Sequence, residues 1–348
     1  MRGLIDRLAA EHTLSDEELL TVITMDDPDA DRYLAQTAEI VRKQVYGNRV
    51  FIRGLIEFTN CCKNDCRYCG IRRGNRNCQR YRLPQEDILA CCDAGYDLGF
   101  RTFVLQGGED PWFTRERMTQ LIKAIKAAYP DCALTLSVGE KDRDTYQEWF
   151  NAGANRYLLR HETANPGLYA SLHPEEMSQA NRMRCLHDLK EIGYQTGCGF
   201  MVGSPGQTPE MIMEDLRFIQ QFQPQMVGIG PFIPHQDTIY RNEAAGSAAL
   251  TLRLLAILRL MLPTVLLPAT TALGTVMGDG RQQGMRYGCN VVMPNLSPAD
   301  VRKKYALYDG KISAGEEAAE SVAMLKKSMA AIGYEVVTDR GDWKGAAV

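Results

Sequence analysis

The stretch Val50-Phe51-Ile52-Arg53-Gly54-Leu55-Ile56-Glu57-Phe58 runs directly into Thr59-Asn60-Cys61-Cys62-Lys63-Asn64-Asp65-Cys66-Arg67-Tyr68-Cys69-Gly70. Its first nine residues read as a β-strand, so the cysteines leave the strand's C-terminal end. Outward from there the same unit recurs. Strands are predicted at 50–58, 102–106, 133–137, 156–162, 196–202, 226–230, 266–271 and 290–293. Between them the apolar residues take helical spacing: Met118, Leu121, Ile122 and Ile125 share one face, as do Ile212, Leu216 and Ile219. Thr208-Pro209 supplies an N-cap with proline at the first helical position. Eight strands alternating with helices predict a parallel sheet closed as a (β/α)8 barrel of the TIM type. It spans residues 49–296, after a helical lead-in (1–48, capping box at Ser15–Glu18) and before an extension (297–348) that is polar, then helical, and closes the barrel.

Alternation within the strands describes the barrel interior. Ile52, Ile56 and Phe58 oppose Arg53 and Glu57. Tyr157, Leu159 and His161 oppose Arg156, Leu158, Arg160 and Glu162, and Leu134 and Leu136 oppose Thr135 and Ser137. The outside of barrel strands packs under helices, so the charged faces point inward. Gly197, Gly199 and Met201 point the same way and leave space, whereas Cys198 sits on the apolar outer face. A barrel of this kind ordinarily fills its interior with Val, Ile and Leu. This one is expected to keep a polar cavity for a ligand; the competing reading pairs Arg53 with Glu57 in a closed core.

Of 348 residues 45% are hydrophobic and 24% charged, which suits a globular chain with a large core. The net charge is −3, and acids and bases read as spread along the whole sequence, so no footprint for nucleic acid is expected. Charge appears at once in Met1-Arg2-Gly3-Leu4-Ile5-Asp6-Arg7, against a signal peptide. The most apolar run, 254–267, is interrupted by Arg259 and Pro263 and falls short of the roughly 18 residues of a membrane helix. A cytoplasmic protein with no membrane partner is expected, in which eleven cysteines argue for reduced thiols over a disulfide framework.

Three of those cysteines are spaced C-x3-C-x2-C at the C-terminal mouth of the barrel, where barrel enzymes place their chemistry. Thiolates hold iron–sulfur clusters, and close spacing lets one loop wrap a cube. Three ligands leave one iron open to a small molecule. Structural zinc needs four ligands, and no His or further Cys follows nearby until Cys78. Because Cys61 adjoins Cys62, spacing alone leaves the first ligand open. Other strand ends bring polar or glycine-rich sequence to the same mouth: Gln106-Gly107-Gly108-Glu109-Asp110, Glu162, Met201-Val202-Gly203 and Thr270-Thr271.

With Tyr68 before the last cysteine, the motif resembles that of the radical S-adenosylmethionine (SAM) superfamily. Four longer stretches narrow the likeness: Arg160-His161-Glu162-Thr163-Ala164-Asn165-Pro166, Met201-Val202-Gly203-Ser204-Pro205-Gly206-Gln207-Thr208, Val227-Gly228-Ile229-Gly230-Pro231-Phe232-Ile233-Pro234-His235 and Pro268-Ala269-Thr270-Thr271-Ala272. From about Phe51 to Lys311 the chain resembles the HydE family, maturases of FeFe-hydrogenase. The resemblance implies one 4Fe–4S cluster on Cys62, Cys66 and Cys69, with SAM on the open iron. Ser137, Glu162 and Arg182 would hold SAM, with Gly108 and Glu109 near its amine, Tyr68 and Met201 near its adenosine, and Gln106, Thr135 and Tyr305 completing the site. It further implies a reductant, reductive cleavage of SAM to a 5′-deoxyadenosyl radical, and other hydrogenase maturation proteins as partners. The implied substrate is a small iron–cysteine carbonyl/cyanide complex, with Arg160, Thr270, Thr271, Met293 and Tyr308 lining its cavity or edge. An anionic complex fits a lumen in which Arg can donate to a carboxylate.

Many members of that family carry a second cluster near the C-terminus. Here the stretch from Lys311-Ile312-Ser313-Ala314-Gly315 through Met324 has no cysteine, and none follows Cys289, so that accessory cluster is expected to be absent. The nearest alternative is a methylornithine synthase-like radical SAM mutase acting on an amino acid. A cluster carrier without turnover is a different class, and a polar lumen argues against it.

Overall fold

The computed structural model describes residues 1–312 and 318–345; part of the cysteine-free stretch, residues 313–317, lies outside the described residues. The strands are β1 (Arg49–Ile52), β2 (Gly54–Thr59), β3 (Thr102–Gly107), β4 (Ala133–Ser137), β5 (Arg156–Leu158), β6 (Gln195–Cys198), β7 (Met201–Val202), β8 (Met226–Val227), β9 (Gly230–Pro231), β10 (Val291–Val292) and β11 (Glu335–Val337). Six of them form one parallel sheet in the order β2-β3-β4-β5-β6-β8. Parallel bridges from Met226 to Leu266 and from Pro268 to Val291 extend the ring, and β10 pairs with β1. The Leu55 amide then donates to the Pro294 carbonyl at 2.9 Å and the Leu296 amide to the Leu55 carbonyl at 2.7 Å, which closes the circuit. The result is a parallel α/β barrel of the TIM type. Its outer layer includes the helices Gln85–Asp97, Arg115–Ala128, Arg143–Asn151, Gln179–Ile192, Pro209–Phe222, Ala248–Met261, Gly280–Arg286 and Ala318–Ala330.

The caps follow the sequence. Ser15 and Glu18 form a reciprocal capping box, and Thr208 accepts from the Met211 amide ahead of Pro209. The apolar run from 254 is the second half of a helix buried on nearly all sides, because the lead-in helix Pro28–Tyr46 packs over its outer face. Arg259, fully buried there, donates to the Gly288 and Pro263 carbonyls.

The predicted strands hold as staves but not as unbroken ladders. The first divides at Arg53. The fourth ends at Leu158, and beyond it only Glu162, with φ 67°, makes a further bridge, to Phe200. The fifth breaks at Gly199, where a Cβ would fall 2.0 Å from the Gly228 carbonyl oxygen; only glycine lets these two staves approach so closely. The seventh forms only bridges and then gives way to the helix Thr271–Val276, with Thr270 as its N-cap.

The sequence also missed β11, which pairs in parallel with β1, and the segment after it, which crosses the barrel floor. There the Arg156 guanidinium donates to Asp342 at 2.7 Å and to the Arg340 carbonyl at 2.8 Å, while Gln195 also reaches Asp342. Arg156 points inward as expected but serves the floor and does not line the ligand cavity. The Arg53–Glu57 pair of the competing reading does not form. Glu57 accepts from Asn295 at 2.8 Å and pairs with Lys311, whereas Arg53 lies deeper in the lumen against Met226 Sδ.

Candidate active site

The mouth-facing ends of the staves surround a cavity of about 340 Å³. Every residue assigned from sequence lines it except Thr271: Cys62, Cys66, Tyr68, Cys69, Gln106, Gly108, Glu109, Thr135, Ser137, Arg160, Glu162, Arg182, Met201, Thr270, Met293, Tyr305 and Tyr308. Thr271, assigned by the resemblance to the cavity or its edge, begins a helix there, and Thr270 and Ala272 face the cavity. Strand alternation correctly turned Thr135, Ser137, Leu158 and Arg160 inward.

The cysteine loop is pinned from three sides. The Lys63 amide donates to the Glu109 carbonyl, Arg67 to Leu172 and Gly70 to Leu307, each at 2.9 Å. At the end of β3 a Cβ on Gly108 would lie 2.2 Å from the Cys61 carbonyl oxygen and 2.7 Å from Cys62 Cβ, so a glycine there is what seats the loop. Cys62, Cys66 and Cys69 turn into the cavity. Cys61 does not line it, and its Sγ lies 3.8 Å from the Tyr81 carbonyl. Burial pushes all three cavity thiols above the ordinary range, Cys69 to about 12. They are therefore neutral until a metal displaces their protons. Thiolates that each take a different corner of a cube need not converge on one point, and among the described residues no three His, Cys, Asp or Glu side chains do.

The opposite wall carries polar atoms without partners. Glu162 is nearly buried with a left-handed backbone, and its Oε2 accepts no hydrogen bond. The Arg160 Nη2 is 3.4 Å from it, close enough for an ion pair but without hydrogen-bond geometry, and Arg160 Nε is likewise unpartnered. Behind them, fully buried His161 fixes the turn: Nδ1 accepts from the Gly199 amide at 3.2 Å, which leaves the proton on Nε2 to donate to Asp215 at 3.2 Å. Asp215 also accepts from the Ala164 amide. Sequence reading quoted His161 but gave this pair no role, since its two members are 54 residues apart.

Arg182, in the first turn of Gln179–Ile192, donates to Glu140 at 2.5 Å and to the Arg160 carbonyl at 2.8 Å. Gln106 donates to the Tyr305 hydroxyl at 3.4 Å. Glu109 is held by Lys63 at 3.4 Å, and Gly139 (φ 76°) leaves it room, since a Cβ there would fall 2.1 Å from its side chain. Tyr68 meets His173 edge-on at 5.6 Å, and His173 stacks on Tyr169 at 4.0 Å. Burial lowers the His173 imidazole to about 4, so that wall is neutral. An unbonded carboxylate, an unpartnered Thr135 hydroxyl and three thiols around one cavity can ligate a metal group and accept hydrogen bonds from a small ligand, as the family resemblance implies. Deeper in, Arg53 Nε and Nη2 have no hydrogen-bond partner, an inward position expected from alternation but given no ligand.

Comparison with known proteins agrees with this geometry. The profile of the radical SAM superfamily matches residues 56–219. The [FeFe] hydrogenase maturase subunit HydE of Thermotoga maritima is 43% identical over 328 residues, covering 94% of this chain and 93% of that protein. A 3-methylornithine synthase of Methanosarcina acetivorans is 30% identical over 324 residues, covering 92% and 90%. The crystal structure of methylornithine synthase (PylB) superimposes with a TM-score of 0.86 at 28% identity, covering 96% of this chain and 97% of that one.

Proposed function

The chain belongs to the HydE family of the radical SAM superfamily, and on that premise we propose that it acts in maturation of the FeFe-hydrogenase active site, on a small iron–cysteine complex held in its lumen. As a radical SAM enzyme it uses a 4Fe–4S cluster and SAM, which together supply an electron and, from SAM, a 5′-deoxyadenosyl radical. Cys62, Cys66 and Cys69 would hold the cluster. Glu162, Ser137 and Thr135 offer unspent or half-spent acceptors and donors for SAM, and Gly108 and Glu109 border the same space. Met201 and Tyr68 offer apolar surface for its base. The barrel wall excludes water from a reactive intermediate.

The observation that carries the substrate reading is Arg160. Its guanidinium lines the lumen with Nε and Nη2 free of hydrogen bonds, in the cavity that Thr270 also lines. A carboxylate or other anion entering there completes the pattern Arg prefers. An Arg160→Ala variant is expected to keep its fold, its cluster and its SAM binding. The ion pair it loses is about one-third exposed on the Arg side and is worth about 0.5–1 kcal/mol. It is expected to fail in an in vitro hydrogenase maturation assay. Full maturation activity, or collapse of the melting temperature, would refute the substrate role.

A second reading, an amino-acid mutase, is favoured by the superposition on methylornithine synthase. Incubation of the reduced protein with SAM and lysine separates the two, because only a mutase rearranges the lysine carbon skeleton.

A further inference from the structure

We infer that Asp215 is a positioning residue for SAM. Through the His161 ring and the Ala164 amide it clamps the turn between them, so that the Glu162 carboxylate meets SAM already aimed. The inference rests on the reading that Glu162 contacts SAM. It gives a function to a carboxylate that does not itself line the cavity.

Asp215 belongs to the helix Pro209–Phe222 and is fully buried, an environment in which a carboxylate needs its hydrogen bonds. Both of those bonds fall on one oxygen. Oδ1 accepts from the Ala164 amide and from His161 Nε2 at 3.2 Å, while Oδ2 has no partner. On the far side of the imidazole, Nδ1 accepts from the Gly199 amide at 3.2 Å, and the Gly199 carbonyl accepts from the Glu162 amide at 3.0 Å. The chain on either side of Glu162 is thus tied to one helix, and Glu162 itself to the neighbouring stave.

Further bonds close the rest of the turn. Arg182 donates to the Arg160 carbonyl at 2.8 Å, and Gln179 donates to the carbonyls of Thr163 at 3.1 Å and Ala164 at 2.7 Å. Asn165 donates at 3.0 Å to Glu214, the neighbour of Asp215 in the same helix. From Arg160 to Asn165 the buried side-chain atoms left without a partner are Nε and Nη2 of Arg160 and Oε2 of Glu162. These are the two side chains of the turn that enter the cavity. β5 ends at Leu158, and past it the left-handed Glu162 has to be held by its surroundings. A turn bonded at every residue, with only its cavity-facing atoms unsatisfied, is preorganised for a ligand.

The same pattern separates an acceptor from a charge. Asp215→Asn keeps an oxygen in the place of Oδ1 and so keeps both bonds, whereas Asp215→Leu, of similar size, removes both. The test measures SAM affinity by titration of the reconstituted full chain, with iron content and melting temperature followed alongside. Asp215→Leu is expected to weaken SAM binding about tenfold, but by less than about twofold in a Glu162→Gln background, because a clamp that acts through Glu162 has no effect once that carboxylate is gone. Asp215→Asn is expected to bind SAM within about twofold of wild type. Should leucine prevent folding, His161→Asn tests the same link: it keeps an acceptor for the Gly199 amide, loses the bond to Asp215, and is expected to weaken SAM binding with the same dependence on Glu162. Wild-type affinity in both clamp variants, an effect of equal size with and without the Glu162 carboxylate, or an Asp215→Asn chain as weak as Asp215→Leu would overturn the inference. Loss of iron or of the fold in both clamp variants would assign the pair to stability and overturn it as well. A Glu162→Gln chain that binds SAM as wild type does would instead overturn the placement of SAM on which the inference rests.

Discussion

Glu162 holds φ 67°, a conformation a side chain of this kind adopts at a cost of about 1–3 kcal/mol, and it does so with a carboxylate oxygen left unbonded. The His161–Asp215 pair and the Gly199 carbonyl, which accepts from the Glu162 amide at 3.0 Å, keep it there. A strained, unsatisfied carboxylate in a cavity is what a ligand's amine or hydroxyls would relieve. Glu162→Gln keeps the shape and removes the charge. It is expected to weaken SAM binding about tenfold, roughly 1.4 kcal/mol, with the melting temperature unchanged. Unaltered affinity by calorimetric titration would place SAM elsewhere. Arg182 is a poorer probe than its sequence position suggests, because truncation also strands Glu140 and frees the Arg160 carbonyl. At this scale much was legible. Cysteine spacing marked the loop, and two-residue alternation turned Thr135 and Ser137 to the lumen. Thr271, which the resemblance assigned to the cavity or its edge, does not line the cavity, because it opens the helix that Thr270 caps. The partners of Arg53 and Glu57 were not legible either, since Met226 comes from a distant stave and Lys311 from the segment beyond the barrel.

Among the elements, the barrel floor departs most from what the sequence suggested. β11 is three residues long and the segment after it has no periodicity, yet it supplies Asp342 to the fully buried Arg156, 186 positions away. Burial opposes ionisation of Asp342, but the Arg156 guanidinium and Gln195 outweigh it and hold the carboxyl down at about 2. A depressed carboxyl contributes stability that is complete above the ordinary carboxylate range and is lost as pH falls from about 4 towards 2. Asp342→Asn should lack that contribution at neutral pH. The cost is expected to be about 1–2 kcal/mol, below that of a fully buried pair because Asp342 is 41% exposed. The stability difference between wild type and variant, measured by denaturant titration, is expected to shrink across that acidic window. A difference that stays constant down to pH 2 would mean the carboxylate does not carry the floor. The staves were legible as elements because each has its own apolar run, whereas their breaks at Arg53 and Gly199 come from contacts with neighbouring staves that no local pattern encodes.

For the whole molecule, the barrel is sealed below by the C-terminal segment, wrapped outside by helices, and open at the mouth where the cysteine loop sits. That arrangement gives the lumen a largely apolar chamber into which the three thiols, Glu162 and Arg160 project. The most direct measurement is the electron paramagnetic resonance spectrum of the anaerobically reconstituted, reduced chain, taken with and without SAM alongside an iron count. About four irons per chain are expected, with one cluster signal that shifts when SAM is added, unchanged by Cys61→Ala and abolished by Cys66→Ala. A signal that survives Cys66→Ala, or one indifferent to SAM in the wild type, would contradict the account.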